Sequence, residues 1–158
     1  QPSVEVGGGG LFTSLVVDAL EGGAADLFGN VTIPAIYAKV EAALGAWDQR
    51  PLYKSHVSKV IAIRKCEPPI SIATLRELPL LFPLPAEDFG LSPEYEDTCE
   101  GKDEAKVAVF QKLQNLNRVH LVVPIQAKHM YDAAMQSRGC RLTAAGRYYW
   151  RLARNGRI

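Results

Sequence analysis

The chain has 158 residues and a formal net charge of +1, which is enough for one ordinary domain or two small ones. Its composition, with 47% hydrophobic and 22% charged residues, is that of a soluble globular protein, and no apolar run approaches the roughly 20 residues that cross a bilayer. Three cysteines without C-x-x-C spacing favour reduced thiols, so a cytoplasmic protein without a membrane partner is expected.

The first two predicted elements are helices that glycines delimit. The helix after the glycine run of residues 7–10 is expected to end at Gly22 and Gly23, because glycine tolerates the left-handed conformation found at helix ends. In the second helix, Thr32 can act as the cap and Pro34 fits the first turn. Each helix has apolar residues at helical spacing, which predicts one buried face per helix. These residues are Phe12, Leu15, Val16, Ala19 and Leu20 in the first helix and Ile33, Ile36, Tyr37, Val40 and Leu44 in the second.

After the second helix, a β-branched run at residues 57–63 predicts a strand. The order of these elements resembles the C-terminal, small-subunit half of caspase-like cysteine peptidases, among which bacterial members and metacaspases are the most similar. The matching segments are Gln1-Pro2-Ser3-Val4-Glu5, Gly10-Leu11-Phe12-Thr13 with Ala19-Leu20, Gly23-Ala24-Ala25-Asp26, and Gln49-Arg50-Pro51-Leu52-Tyr53.

The resemblance implies an α/β fold in which residues 1–66 form part of a caspase-like sheet-and-helix unit. The family's G-H-G and D-x-C-H-S-G motifs, which carry the catalytic His and Cys, do not occur in this sequence. No catalytic residue is therefore expected in the chain, and Gln1 is expected to be a processing boundary or an internal position of a longer polypeptide. The N-terminal catalytic half of the same protease is the expected partner.

Ser3 and Glu5 are the substrate-pocket residues that the resemblance implies. A carboxylate at Glu5 would favour an Arg or Lys side chain in the substrate, because hydrogen bonds between opposite charges are strong. The alternative is an ordinary solvent-exposed acid in a loop.

Neither a Cys–His dyad nor a metal site is predicted within this chain. A Cys–His dyad needs an imidazole that stabilises a thiolate, and zinc ligands come in pairs a few residues apart. No cysteine–histidine pair here sits in a family signature, and Cys66 ends a predicted strand before two prolines, so structural roles are expected. The possible metal ligands are scattered singly, so no metal or resident cofactor is predicted. The dyads considered are Cys66 with His56 and Cys140 with His120 or His129, and the metal candidates are Cys99, His120, His129 and Cys140.

Residues 67–102 are predicted to be a linker that is rich in proline and acidic residues. Six of the ten prolines fall between Pro68 and Pro93, and proline restricts both helices and central strands. One short helix is expected over residues 71–78, and residues 94–102 are expected to form an exposed loop.

Residues 103–158 are predicted to form a small, mainly helical, winged-helix-like domain. The pattern Leu142-Thr143-x-x-Gly146-x-x-Tyr149-x-x-Leu152 is similar to a recurrent winged-helix ending. The predicted elements are a helix capped by Asp103 with Val109, Phe110, Leu113 and Leu116 on one face, a strand at 119–123, a helix over 128–137, a helix capped by Thr143, and a final strand after Gly156.

Charge is distributed unevenly along the chain. Residues 87–104 carry eight acids, whereas the last 22 residues carry six arginines and no acid. This asymmetry indicates an anionic partner or contact between the two segments. A solvated helix face is the alternative.

The strongest binding pattern lies in the last predicted helix. Arg147, Arg151 and Arg154 recur at i, i+4 and i+7, so they line one stripe, and arginines with neighbouring aromatic residues can grip phosphates and stack on bases. A nucleotide-derived activator and nucleic acid are therefore both candidate ligands, and core packing of the aromatic residues is the alternative. The complete predicted set is Arg141, Arg147, Tyr148, Trp150, Arg151 and Arg154.

Together these patterns predict the C-terminal part of a caspase-like cysteine endopeptidase that carries a regulatory domain. The resemblance implies bacterial anti-phage defence as the setting, with a cyclic ADP-ribose-like nucleotide as the expected signal. A winged-helix module that binds DNA or a partner protein, and thereby regulates the protease or transcription, is the alternative.

Overall fold

The computed structural model describes residues 5–6, 9–44 and 52–158, with the backbone alone for residues 5, 6 and 9. The chain divides into two compact units, Gln1–Pro69 and Ile70–Ile158. Both units combine helices with short strands, so the general α/β class is compatible with the structure. In the described part of the chain, no helix is both long and apolar enough to cross a bilayer.

The described part of the first unit contains two helices, a π-helical turn and two pairs of short strands. β1 pairs antiparallel with β2, and β3 pairs antiparallel with β4. The elements are β1 (Glu5–Val6), β2 (Gly9–Gly10), α1 (Leu11–Asp18), the π-helical turn (Ala19–Gly23), β3 (Asn30–Val31), α2 (Ile33–Leu44) and β4 (Arg64–Lys65).

Both predicted helices of the first unit are confirmed. α1 passes into the π-helical turn, and this turn ends at the predicted glycines, where Gly22 has a φ of 122° that favours glycine. α2 begins after Thr32, whose hydroxyl accepts a hydrogen bond from the amide of Ala35 at 3.3 Å. Gly45, the predicted end of α2, lies outside the described residues.

The predicted strand over residues 57–63 is not formed. Residues 52–63 adopt neither helix nor strand, and only Arg64–Lys65 pairs with β3. The large apolar side chains of this segment are exposed: Val57 by 62%, Val60 by 51%, Ile61 by 67% and Ile63 by 48%. A strand needs neighbours for its backbone groups, and the described part of the first unit offers only the two residues of β3. Within the described residues, this segment therefore has no strand to pair with beyond its contact with β3.

The second unit contains five helices, a 3₁₀ turn and a three-stranded antiparallel sheet among its described residues. β7 is the central strand of this sheet, between β5 and β6. The elements are α3 (Ile72–Arg76), α4 (Leu78–Leu81), β5 (Phe89–Gly90), the 3₁₀ turn (Pro93–Tyr95), α5 (Glu104–Arg118), β6 (Val122–Ile125), α6 (Met130–Met135), β7 (Gly139–Leu142) and α7 (Ala144–Arg154).

The capping predictions for the second unit are confirmed. The carboxylate of Asp103 accepts from the amides of Ala105 at 2.9 Å and Lys106 at 3.3 Å, and the hydroxyl of Thr143 accepts from the amide of Gly146 at 3.0 Å. The predicted inward face of α5 needs one correction, because Val107 is buried where Val109 was expected. The buried residues of this helix are Val107, Phe110, Leu113 and Leu116.

The predicted linker differs from the structure over most of its length. The boundary between the units falls after Pro69, inside the interval 67–102, but the rest of that interval folds with the second unit. Prolines shorten the helices without preventing burial of the apolar residues between them, and Pro79 lies in the first turn of α4. The buried residues contributed by this interval are Ile70, Leu75, Leu78, Phe82 and Leu91.

The predicted strand after Gly156 is also absent. Gly156 has a φ of 62°, and the amide of Arg157 donates to the carbonyl of Leu152 at 2.8 Å. This closure is typical of a helix that ends at a left-handed glycine. In addition, β6 and β7 lie on either side of α6 in the chain, so α6 connects two paired strands.

Candidate functional site

The predicted substrate-pocket residues fall largely outside the description. Ser3 lies outside the described residues, and Glu5 is described by its backbone alone, in the β1–β2 pair opposite Gly10. Their assignment to a substrate pocket therefore stays a prediction.

Asp26, the last residue of the segment Gly23-Ala24-Ala25-Asp26, stabilises the turn before β3 through hydrogen bonds. Its Oδ1 accepts from the amides of Phe28 and Asn30, both at 2.8 Å, and its Oδ2 accepts from the side-chain amide of Asn30 at 3.1 Å. Burial raises the pKa of Asp26, but these hydrogen bonds and the charge of Lys65 lower it, and the net pKa is lowered. The residue therefore acts here as a structural anion.

An apolar groove lies between α1, α2 and the segment at residues 52–53. Its volume is about 200 Å³, and its walls carry almost no polar surface. The rings of Tyr37 and Tyr53 stack at its edge with their centroids 5.1 Å apart. Such a groove fits aliphatic or aromatic side chains rather than a charged ligand. The lining includes Phe12, Val16, Ile36, Val40 and Leu52.

We use the term apolar segment for residues 57–63. Together with the groove, this segment gives the first unit two apolar surfaces that the described chain leaves in contact with solvent. Exposed apolar surface of this kind marks sites of interaction. Sequence patterning had indicated these residues, but as a buried strand and as inward helix faces.

Cys140 is buried, and Cys66 and Cys99 are partly buried. Burial, and to a smaller extent the charge of Asp88, raises the pKa of Cys140 to about 12, so its reactive thiolate is disfavoured. The thiol of Cys66 lies 3.4 Å from the carbonyl oxygen of Leu20, to which it donates. Among the described residues, no three His, Cys, Asp or Glu side chains are arranged to hold a metal ion.

Two of the six predicted ligand-binding residues are engaged within the second unit. Arg141 lies on β7 with its Nε 3.5 Å from an oxygen of Asp88. Trp150 donates its indole N–H to the carbonyl oxygen of Phe82 at 2.7 Å, which ties α7 to the end of α4. Each of these two side chains therefore already has a partner within the second unit.

The remaining arginines form what we call the arginine stripe, Arg147, Arg151 and Arg154, on the solvent-facing side of α7. All three are exposed, and none forms an ion pair with a carboxylate in the described part of the chain. Arg147 makes one long contact, from its Nη1 to the carbonyl of Leu142 at 3.4 Å. Tyr148 lies beside the stripe and is 52% exposed.

The acidic residues of the second unit pair mainly with lysines. The ammonium groups of Lys102 and Lys112 lie 2.7 Å from Asp97 and 2.6 Å from Glu77, and Lys106 pairs with Glu94. Among the described ion pairs, only that of Arg141 with Asp88 joins the acidic residues of 87–104 to the arginines of the last 22 residues. The charge asymmetry of the sequence is therefore not neutralised at the arginine stripe.

Comparison with known proteins adds no assignment. No protein-family model matches the chain, no curated protein matches it, and no solved structure matches it. A functional assignment for this chain therefore depends on its residue patterns and on the geometry within each unit.

Proposed function

We propose that the chain is the C-terminal part of a cytoplasmic, caspase-like cysteine endopeptidase, in which the first unit completes the catalytic domain and the second unit regulates it. The observation that carries this proposal is the exposed apolar segment. The order of elements around it, a glycine-limited helix, a second helix and a β-branched run, supports the family assignment.

The apolar segment has the properties of a strand without its sheet. Within the described part of the chain, residues 52–62 make no backbone–backbone hydrogen bond, whereas Ile63 donates to Val31 at 2.9 Å. Only the end of the segment therefore lies beside a partner strand. Apolar residues at both odd and even positions suit a strand that is covered on both faces, and an extended segment with free backbone groups can join the edge of another sheet.

The groove between α1 and α2 supports the same proposal. A helix pair buries its apolar stripes against another layer, and in α/β proteins that layer is a sheet. Phe12 and Ile33, at the starts of the two helices, are 48% and 52% exposed. A sheet supplied by the catalytic half would cover them, and each large side chain would contribute about 1.5–3 kcal/mol on full burial.

The chemistry of the complete enzyme follows from the resemblance. A cysteine thiolate in the other half would attack the scissile carbonyl, and backbone amides would stabilise the oxyanion. A histidine would protonate the amine that leaves as the C–N bond breaks, and water would then hydrolyse the thioester and free the cysteine. This chain would contribute Ser3 and Glu5 to the pocket wall. A carboxylate at Glu5 selects Arg or Lys before the scissile bond.

The regulatory unit has two candidate ligands. A cyclic ADP-ribose-like nucleotide, as in anti-phage defence, would need a pocket in which several of the predicted residues meet. The engagement of Arg141 and Trp150 elsewhere and the outward direction of the arginine stripe favour the second candidate, a winged-helix-like module that binds an extended anionic partner across an open surface.

The enzyme assignment is tested on the complete polypeptide that the gene encodes. Fluorogenic peptides that end in Arg or Asp are compared before and after thiol alkylation. We expect cleavage after Arg that alkylation abolishes, and a weaker preference for Arg in Glu5→Gln. Absence of thiol-dependent cleavage contradicts the peptidase proposal, and an unchanged preference in the variant removes Glu5 from the pocket.

A pair of variants tests the role of the apolar segment in the same assay. Ile61→Asp places a charge within the segment, and Lys54→Asp places one before it on another exposed residue. We expect the first to abolish activity of the complete enzyme and the second to preserve it. Equal activities would show that residues 57–63 do not enter a sheet.

A further inference from the structure

An exposed aromatic ring lies beside the arginine stripe, so this surface can stack on a ligand as well as attract a negative charge. Tyr148 is half-exposed on the same helix, and its ring meets that of Tyr149 edge to face, with centroids 5.5 Å apart and planes at 82°. We propose that this surface of α7 binds single-stranded nucleic acid, with the arginines on phosphates and Tyr148 under a base. The inference specifies the ligand of the proposed regulatory unit and does not depend on the peptidase assignment.

The spacing of the stripe suits a phosphate backbone. Successive arginines lie about 6 Å and about 4.5 Å apart along the helix axis, from a rise of 1.5 Å per residue. Long side chains can adjust this spacing to consecutive phosphates. Each guanidinium can donate two parallel hydrogen bonds to phosphate oxygens.

Ordinary helix electrostatics do not account for all three arginines. Arg151 and Arg154 lie in the last turn, where cations are stabilised by the helix dipole. Arg147, however, is the fourth residue of α7, close to the end that disfavours positive charge. No acid of α7 or of residues 155–158 compensates it, because none occurs there.

The distribution of residue types also favours nucleic acid. The lysines Lys102, Lys106 and Lys112 pair with carboxylates, whereas the exposed stripe consists of arginine alone. Arginine is the better residue for bidentate phosphate binding and for stacking.

The exposed ring of Tyr148 favours single-stranded over double-stranded nucleic acid as the ligand. A base can stack on an exposed aromatic ring only when it is free of a duplex, and such stacking does not depend on sequence. The edge contact with Tyr149 limits the conformations of Tyr148 before binding, which reduces the entropy lost on stacking. An acidic peptide would use the arginines but would gain nothing from this ring.

The test measures fluorescence anisotropy of a labelled, mixed-sequence DNA strand of about 15 nucleotides with the 158-residue chain. Binding should weaken as the salt concentration rises, and a plot of log K against log[salt] should have a slope of about −2 for three phosphate contacts. The variant R147Q/R151Q/R154Q should lose most of this slope and at least about tenfold in affinity at low salt. K54Q/R118Q/K128Q removes the same charge from exposed residues outside the stripe and should bind within about threefold of the unchanged chain.

A second pair of variants measures the contribution of the Tyr148 ring to binding separately from that of the arginines. Tyr148→Ala should weaken binding by about fivefold or more, and Tyr148→Phe, which keeps the ring, should bind as the unchanged chain does. Circular dichroism verifies that each variant is folded. Failure of these binding predictions leaves thiol-dependent cleavage untouched, so the two proposals are tested separately.

Four outcomes overturn the inference. These are no salt-dependent binding, equal affinity of the stripe and control variants, equal or tighter binding of the corresponding duplex, and tighter stripe-dependent binding of polyglutamate or cyclic ADP-ribose than of the single strand.

Discussion

The two units bury very different numbers of apolar residues. Among the described residues, sixteen buried hydrophobic residues belong to the second unit and four to the first, which are Ala19, Val31, Val40 and Leu44. The first unit nevertheless exposes eight large hydrophobic side chains and the second only five. The second unit therefore has a core of its own, whereas the described part of the first leaves most of its large apolar side chains exposed or only partly buried.

Close backbone contact explains how the second unit closes its core. β7 lies centrally in the sheet, and α7 follows it after Thr143, whose amide donates to the carbonyl of Leu121 at 3.0 Å. The same carbonyl faces Gly146, where a Cβ would lie 2.0 Å from the oxygen. Only glycine permits α7 to approach the β6 side this closely.

The largest expected effect is that of Gly146→Ala. The new methyl group must displace backbone rather than a flexible side chain, so we expect a loss of about 4 kcal/mol or more in the free energy of unfolding. Urea unfolding followed by circular dichroism measures it. Gly101→Ala is the control, because nothing lies within 4 Å of a Cβ there, and equal midpoints for the two variants would refute the packing argument.

The difference in burial between the two units is tested next by two side-chain truncations to alanine. Leu113, which is 0% exposed in α5, and Ile61, which is 67% exposed, are each replaced by Ala. We expect Leu113→Ala to cost about 3 kcal/mol and Ile61→Ala to stay within about 0.5 kcal/mol in this chain, by urea unfolding. A large cost at Ile61 would mean that the apolar segment is already buried.

A smaller effect is expected from Trp150→Phe. The change removes the hydrogen bond to the Phe82 carbonyl but keeps an aromatic ring, so the second unit should lose about 1–2 kcal/mol. Thermal unfolding compares it with Tyr148→Phe, which removes a hydroxyl from an exposed ring. If the tryptophan instead belonged to a ligand pocket, the two variants would have similar stability.

The smallest effect concerns the first unit and depends on pH. The folded pKa of Asp26 is below its ordinary value of 3.8, so its stabilisation is present above that pH and is lost as pH falls through the folded pKa. Asp26→Ala should cost about 0.5–1 kcal/mol at neutral pH and progressively less in acid. Glu67→Ala, at an exposed position of the same unit, is the control for this pH series, and a parallel pH dependence would contradict the role of Asp26.

Prediction from sequence was most successful where a local rule decides the conformation. The glycine end of the first helix and the caps at Thr32, Asp103 and Thr143 were all identified, because each depends on residues within a few positions. The apolar face of α5 was found apart from the exchange of Val109 for Val107. The stripe Arg147, Arg151 and Arg154 also follows from helical spacing.

What the sequence by itself determined is the position of most helices, several of their caps and most of the residues that share a face. The single helix predicted over residues 71–78 is instead α3 and α4, and α4 continues past Pro79 to Leu81. Tertiary structure decided which side chains form contacts, such as the hydrogen bond of Trp150 to Phe82 and the ion pair of Arg141 with Asp88. It showed that most of the predicted linker folds as part of the second unit. It also left residues 57–63 without a sheet. The physical reason is that helix hydrogen bonds and caps close within a few residues of the chain, whereas strands, burial and ion pairs need partners that only the folded molecule brings near.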